Sequence, residues 1–236
     1  MLTRNLIGES AYGRLAGFGF DDVGSSTIGG GTGNFIKGLV SVIGGGVKNT
    51  ILGDYNVIPG GRSNSISDFV SDFEAPKTVF CGVVAGNLNV ITGNIQNAVI
   101  LGGESNNIEN TNRDVASESF ASAIVGGKLN TISGSFSAIL GGTHNNIRAS
   151  YSYGVGRNID IDKSGCMVLG DSTPTKKINL GSNTLTMHFA SGIYITGVSS
   201  GVSPINLDLN NLPTGASNLP VGAIYRSGDF LKIKLF

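Results

Sequence analysis

The triplet Asn-x-Ile recurs through the chain at Asn34, Asn49, Asn64, Asn89, Asn106, Asn130 and Asn145, with Ile36, Ile51, Ile66, Ile91, Ile108, Ile132 and Ile147 two residues on. Six residues before each Asn stands Ile or Val, at positions 28, 43, 58, 83, 100, 124 and 139. Self-similarity at a fixed period is the signature of a repeat architecture. Successive Asn positions lie 15, 15, 25, 17, 24 and 15 residues apart, so the unit is 15 residues and three units carry insertions of 10, 2 and 9. The two long insertions, Phe69 to Thr78 and Thr111 to Ser119, both follow an Asn-x-Ile run and should leave the repeat at one edge. An eighth, shortened unit is expected around Tyr153 to Ile161.

A 15-residue unit with two short β-type runs and a Gly-Gly break reads as one coil of a parallel β-roll or β-helix. The fold class expected is therefore all-β. In the coil at Ile139, Ser137 and Ile139 share one strand face and Phe136 and Ala138 the other. Gly141 and Gly142 provide the backbone freedom of a sharp corner. Stacking coils at ~4.8 Å makes a ladder of each Ile and of each Asn, whose amides can donate and accept along the stack. The Asn and Ile positions are thus expected to be structural. Thr27, Val42, Val57, Gly82, Val99, Ala123 and Ala138 occupy the opposite strand face, and Ser25, Val40, Tyr55, Phe80, Asn97, Ala121 and Phe136, two residues earlier, are assigned to it too. A strand apolar on both faces is normally covered on both. A thin roll covers one, so the second face is expected to meet other copies of the chain, in a homotrimer.

Composition narrows the function classes. Lys+Arg and Asp+Glu are 16 each among 236 residues, which leaves no basic footprint for nucleic acid and no polybasic membrane patch. No apolar stretch reaches the ~18 residues of a membrane span. The 37 glycines follow no every-third-residue pattern, which excludes collagen. Cys81 and Cys166 are too few for a disulfide framework or zinc site and read as small buried residues.

The run Ser137 to Ile147, Ser-Ala-Ile-Leu-Gly-Gly-x-x-Asn-x-Ile, resembles the head repeats of trimeric autotransporter adhesins and the related repeats of phage and viral fibre proteins. The resemblance covers residues 25 to 150. It implies left-handed parallel β-rolls packed as a trimer and a role in attachment. Met1 to Phe20 carries Arg4, Glu9 and Arg14 and does not read as an export signal, and no membrane-barrel anchor ends the sequence. Both features favour a virion protein assembled in the host cytoplasm over a fragment of a bacterial adhesin.

Four regions are expected: an N-terminal docking segment (1–24), the repeat domain (25–170), a short-strand connector (171–202) and a C-terminal module (203–236). In the last, Ser-Gly-Asp between two alternating runs signals a β-hairpin. The ending resembles the Leu-Pro-Thr…Gly-x-x-Tyr-Arg-x-Gly…Leu-Lys-Ile tails of phage and environmental-virus structural proteins, and its expected role is to cap the open end of the stack.

No catalytic motif emerges. His144 sits at a variable corner and His188 shares no motif with a nucleophile. Gly29 to Asn34 lacks the Gly-Lys-Ser/Thr ending of a phosphate loop, and the period and Asn chemistry differ from calcium-binding nonapeptides. No enzyme activity, metal or cofactor is expected. Recognition would fall to the insertions, because loops on a rigid scaffold commonly carry it. The candidate contact residues are Phe69, Asp72, Phe73, Glu74, Asn112, Arg113 and Asp114. Expected partners are the chain itself, other virion proteins and a host surface glycan or protein. A capsid decoration or fibre shaft without receptor contact is the alternative.

Overall fold

The computed structural model describes residues 6–7, 26–67, 78–110, 121–191, 214–215, 217–218, 224–227 and 230–233. Its chain forms a β-solenoid of two parallel sheets, and among the described residues there is no helix. Sheet I contains ten strands, most of them the Asn-x-Ile runs, such as Thr50–Leu52, Ser65–Ser67 and Val90–Thr92. Sheet II contains the other ten, such as Val42–Ile43, Val57–Ile58 and Val99–Ile100. Strands alternate between the sheets along the chain, and each pairs with the strand one coil away, so Ile51 lies beside Ile36 and Ile66, and Ile124 beside Ile100 and Ile139.

The core follows from this register. Ile36, Ile51, Ile66, Ile91, Ile108, Ile132 and Ile147 of sheet I are fully buried, and so are Ile43, Ile58, Val83, Ile100, Ile124 and Ile139 of sheet II. Each coil removes two β-branched or aliphatic side chains from water, worth roughly 1.5–3 kcal/mol apiece. β-Branched residues also suit the strand backbone.

The sheets run past position 170, where the repeat was expected to give way to a connector. Lys177–Ile178 extends sheet I and Leu185–His188 extends sheet II. At the other end Leu6–Ile7, within the expected docking segment, pairs in parallel with Phe35 and Ile36. Asn5-Leu6-Ile7 repeats the Asn-x-Ile signature that the sequence reading passed over. The shortened unit spans Ser152 to Gly165. Its Gly154 stands where other coils carry Ile, and Ile159 stands in the Asn register. Ile147, Ile159 and Ile161 close over the missing side chain at 3.5–3.8 Å from where a Cβ on Gly154 would lie.

Residues 193–236 form a second compact unit. Within it Ile224–Ser227 and Phe230–Ile233 pair antiparallel.

Candidate functional site

Two corners per coil decide what the surface presents. At the first, the residue before each ladder Asn adopts positive φ: Gly33, Lys48, Ser63, Leu88, Ser105, Leu129 and His144. The Asn that follows is buried and ties three coils together. Asn130 Nδ2 reaches the carbonyl of Gly126 in its own corner at 3.1 Å and that of Gly142 in the next coil at 3.0 Å. Asn130 Oδ1 accepts the Asn145 backbone N–H at 3.1 Å, and Asn130 donates its own backbone N–H to Asn106 Oδ1. The same pattern holds at Asn49, Asn64, Asn89 and Asn106. The ladder is therefore mainly amide to backbone, with side-chain pairs added at Asn89–Asn64, Asn106–Asn89 and Asn130–Asn106.

Asn130→Ala should lower stability by about 1–3 kcal/mol, because it strips partners from buried backbone groups. For a chain of this size that corresponds to a fall in Tm of roughly 2–12 °C. Thermal melts by circular dichroism on Asn130→Ala and Asn145→Ala would check it, and an unchanged melt in both would remove the Asn ladder from the stability account.

The second corner carries a polar ladder of degenerate chemistry, which the sequence reading did not isolate. Ser26, Ser41, Asn56 and Cys81 follow one another, each accepting the next residue's backbone N–H: Ser41 N to Ser26 Oγ, Asn56 N to Ser41 Oγ, Cys81 N to Asn56 Oδ1. Ser122, Ser137, Ser152 and Cys166 continue it after Ala98. Both buried cysteines thus replace a serine, and Cys81 Sγ lies 3.3 Å from the Val79 carbonyl. The signal available in the sequence was a small polar residue two before each inward Ile.

The residue ahead of each member of this second ladder also has positive φ: Val40, Tyr55, Phe80, Asn97, Ala121, Phe136 and Tyr151. This corrects the assignment of these residues to the strand face. They form a corner column of their own and project into solvent. The left-handed conformation costs roughly 1–2 kcal/mol for a residue with a Cβ. Tyr55 stacks on Phe80 with ring centroids 5.2 Å apart, and Phe136 on Tyr151 at 5.1 Å. Even so, Phe80 is 59% exposed and Tyr151 60%.

The outer faces of the two sheets differ sharply. Sheet I presents a mixed column of Phe35, Thr50, Ser65, Val90, Asn107, Thr131, Asn146, Asp160 and Ile178, with Lys37, Leu52, Glu109 and Arg148 beside it. Asp160 there is flanked by Arg148 at 3.0 Å and Lys176 at 2.5 Å. Sheet II presents Val42, Val57, Val99, Tyr153, Met167 and Leu185 in one column and Val84, Leu101, Val125, Leu140 and Met187 in the next. Neither column of sheet II contains a charged residue among the described positions.

Near the end of the solenoid, Lys177 occupies the register that Asn holds lower down and is 2% exposed. Its ammonium is ringed by the carbonyls of Arg157 (3.1 Å), Thr173 (2.8 Å) and Thr175 (3.0 Å), with Asp171 Oδ1 at 3.2 Å. The Thr173 hydroxyl and the Ala190 N–H, both donating to Asp171, hold its carboxyl well below the usual carboxylate range. In sequence Lys177 reads as a surface residue; the loop that wraps its ammonium makes it a buried anchor.

Phe69, Asp72, Phe73, Glu74, Asn112, Arg113 and Asp114 lie outside the described residues. Thr78, expected within the first insertion, belongs to the solenoid: it is fully buried, its Oγ1 donates to the carbonyls of Ser67 and Gly93, and its own carbonyl accepts Asn56 Nδ2 at 2.8 Å. His144 is an exposed corner residue, and His188 Nε2 lies 2.8 Å from the Ile178 carbonyl. Among the described residues, no three His, Cys, Asp or Glu side chains gather as metal ligands, and no helix is long and apolar enough to cross a membrane. No protein-family model matches the chain, and no curated protein matches it.

Proposed function

We propose that this chain is a structural subunit of a viral particle, a fibre or spike that attaches to a host surface, assembled as a homotrimer through the outer face of sheet II. One observation carries the reading: two adjacent outer columns of sheet II, rich in exposed apolar side chains, contain no charged residue, whereas the outer columns of sheet I contain Lys37, Glu109, Arg148 and Asp160. Large exposed apolar patches mark interaction surfaces. The ten strands of sheet II, at ~4.8 Å spacing, extend about 43 Å, and the face with its corner column is about 15 Å wide, so roughly 650 Å² per copy, or about 2,000 Å² over three copies, is available for burial. The resemblance to fibre and adhesin-head repeats supports the choice of three copies and the attachment role.

Deleting residues 69–77 tests the attachment half. The flanking ladder positions stay intact, and loop length is thermodynamically cheap, about 0.6 kcal/mol per doubling. The deletion should leave a soluble β-rich assembly that binds host cells more weakly in a pull-down. Undiminished binding by both this variant and a deletion of residues 111–119 would favour a shaft or capsid decoration. Labelled antibody on intact particles would locate the chain.

A further inference from the structure

The Asn ladder calls for another coil at every step. Nδ2 of each regular ladder Asn donates to the carbonyl four residues earlier and to one in the next coil, as Asn130 does at Gly126 and Gly142. Lys177 stands where this pattern stops. In register, Asn145 is followed by Ile159, which has no amide, and Ile159 by Lys177. Among the described residues, Lys177–Ile178 is the last strand of sheet I. The Lys177 ammonium keeps the first bond of the pattern, to the Thr173 carbonyl four residues earlier. It reverses the second, reaching back to the Arg157 carbonyl of the preceding coil. Lys177 thus asks nothing of a coil beyond it.

The surroundings of this ammonium suit a cation more than a hydrogen-bond donor. Five oxygens face Nζ at 2.8–3.2 Å: the carbonyls of Arg157, Thr173 and Thr175, the Thr173 hydroxyl and Asp171 Oδ1. An ammonium has only three hydrogens to donate, so charge holds the remaining contacts. The Thr173 hydroxyl gives its own hydrogen to Asp171, which leaves a lone pair for Nζ. Rings of carbonyl oxygens replace the hydration shell of a bare cation in the same way. The stem is accommodated too. A Cβ on Gly170 would lie 2.4 Å from Lys177 Cδ and 3.0 Å from Cε, so only glycine leaves its path open. Lys176, by contrast, keeps an exposed side chain and pairs with Asp160 on the outer face of sheet I.

The same loop reaches sheet II. Asp171 donates its backbone N–H to the His188 carbonyl at 3.0 Å, and its Oδ2 accepts the Ala190 N–H at 2.7 Å. The carboxylate that faces Lys177 therefore also holds the end of strand Leu185–His188. We infer that the loop at 171–176, with the Arg157 carbonyl, is a monovalent-cation site whose resident cation is the chain's own Lys177 ammonium, and that this tethered cation ends the Asn ladder and latches the last strands of both sheets. Without the ammonium, the five oxygens are left as a site for a free cation of similar size, potassium or ammonium.

Lys177→Met in the full chain tests this, because it keeps an apolar stem and removes the charge. Tryptic cleavage after Lys176, followed by mass spectrometry, reads the opening of the loop, since cleavage of a folded chain tracks its open population. In tetramethylammonium chloride, whose cation is too bulky for the site, the variant should be cut roughly ten- to a hundredfold faster than wild type, as expected from losing a hydrogen bond to a charged group. Potassium or ammonium chloride at the same ionic strength should slow the variant severalfold and saturably, and leave wild type unchanged. Cleavage as slow as wild type in every salt would overturn the latch. Fast cleavage that neither cation slows would overturn the cation site. If circular dichroism shows that Lys177→Met does not fold, Asp171→Asn decides. It removes only the charge facing the ammonium and should be cut faster than wild type, equally in every salt because Lys177 still fills the site; unchanged cleavage would overturn the inference.

Discussion

Replacing Gly127 by alanine should unfold the solenoid locally and lower Tm by roughly 4–20 °C, while replacing its neighbour Gly126 should change it by no more than about 2 °C. Gly127 has φ +94°, a region that favours glycine. A Cβ there would overlap the carbonyl oxygen of Gly142 in the next coil and stand 2.8 Å from Asn130 Nδ2. The first contact is with stacked backbone, which cannot move without parting the coils, and the second displaces the amide that pins the corner. Strain of roughly 1–2 kcal/mol and lost hydrogen bonds of about 1–3 kcal/mol act together. Nothing lies within 4 Å of a Cβ on Gly126, and Ala85 already fills the matching position of another coil. Parallel melts of the two variants decide it: similar Tm values would mean that the Gly-Gly corner has no single obligatory glycine.

Among the regular coils, the difference between those two glycines shows in the sequence at one alone, where Ala85 replaces the first of the pair and Gly86 keeps the second. Elsewhere the two recur side by side and mark a corner without saying which residue turns it. What the sequence carried well was the inward register. A fixed offset between Ile124, Asn130 and Ile132 survives only if all three sit on interior columns, and all three are fully buried. Period-two counting then failed at the corners. Extending the strand of Ala138 backwards placed Phe136 on its face, but the positive φ of Phe136 ends the strand and turns the ring onto a separate column. Lys177 and Ile159 were missed for a different reason: each takes an interior position by exchanging chemistry with a neighbour, Ile159 with Gly154 and Lys177 with a loop of carbonyls, and a motif search rewards sameness. Of the candidate recognition residues only the positions were legible, because an insertion breaks the period that informs the rest of the chain.

Ala138→Glu should abolish the proposed trimer. Ala138 lies on the outer face of sheet II between Ala123 and Tyr153, so in a single chain the new carboxylate points to water and the coil is undisturbed. In the proposed assembly it enters the face that meets the other copies, and neither outer column of sheet II contains a charged residue to pair with it. Burying an unpaired charge costs several kcal/mol, about 3–5 kcal/mol in comparable cases, and symmetry imposes it at every interface of the ring. Even 3 kcal/mol at each interface is more than a hundredfold in affinity, so the variant should fail to assemble at micromolar concentration rather than assemble loosely. Thr131→Glu on the outer face of sheet I is the control and should leave assembly unchanged. Size exclusion with light scattering reads both. Wild type should run at three times the 24.2 kDa of one chain and remain so on dilution. A wild-type dimer would keep the solenoid and reject the three-fold arrangement; a trimer that tolerates Ala138→Glu but is broken by Thr131→Glu would move the interface to the polar sheet.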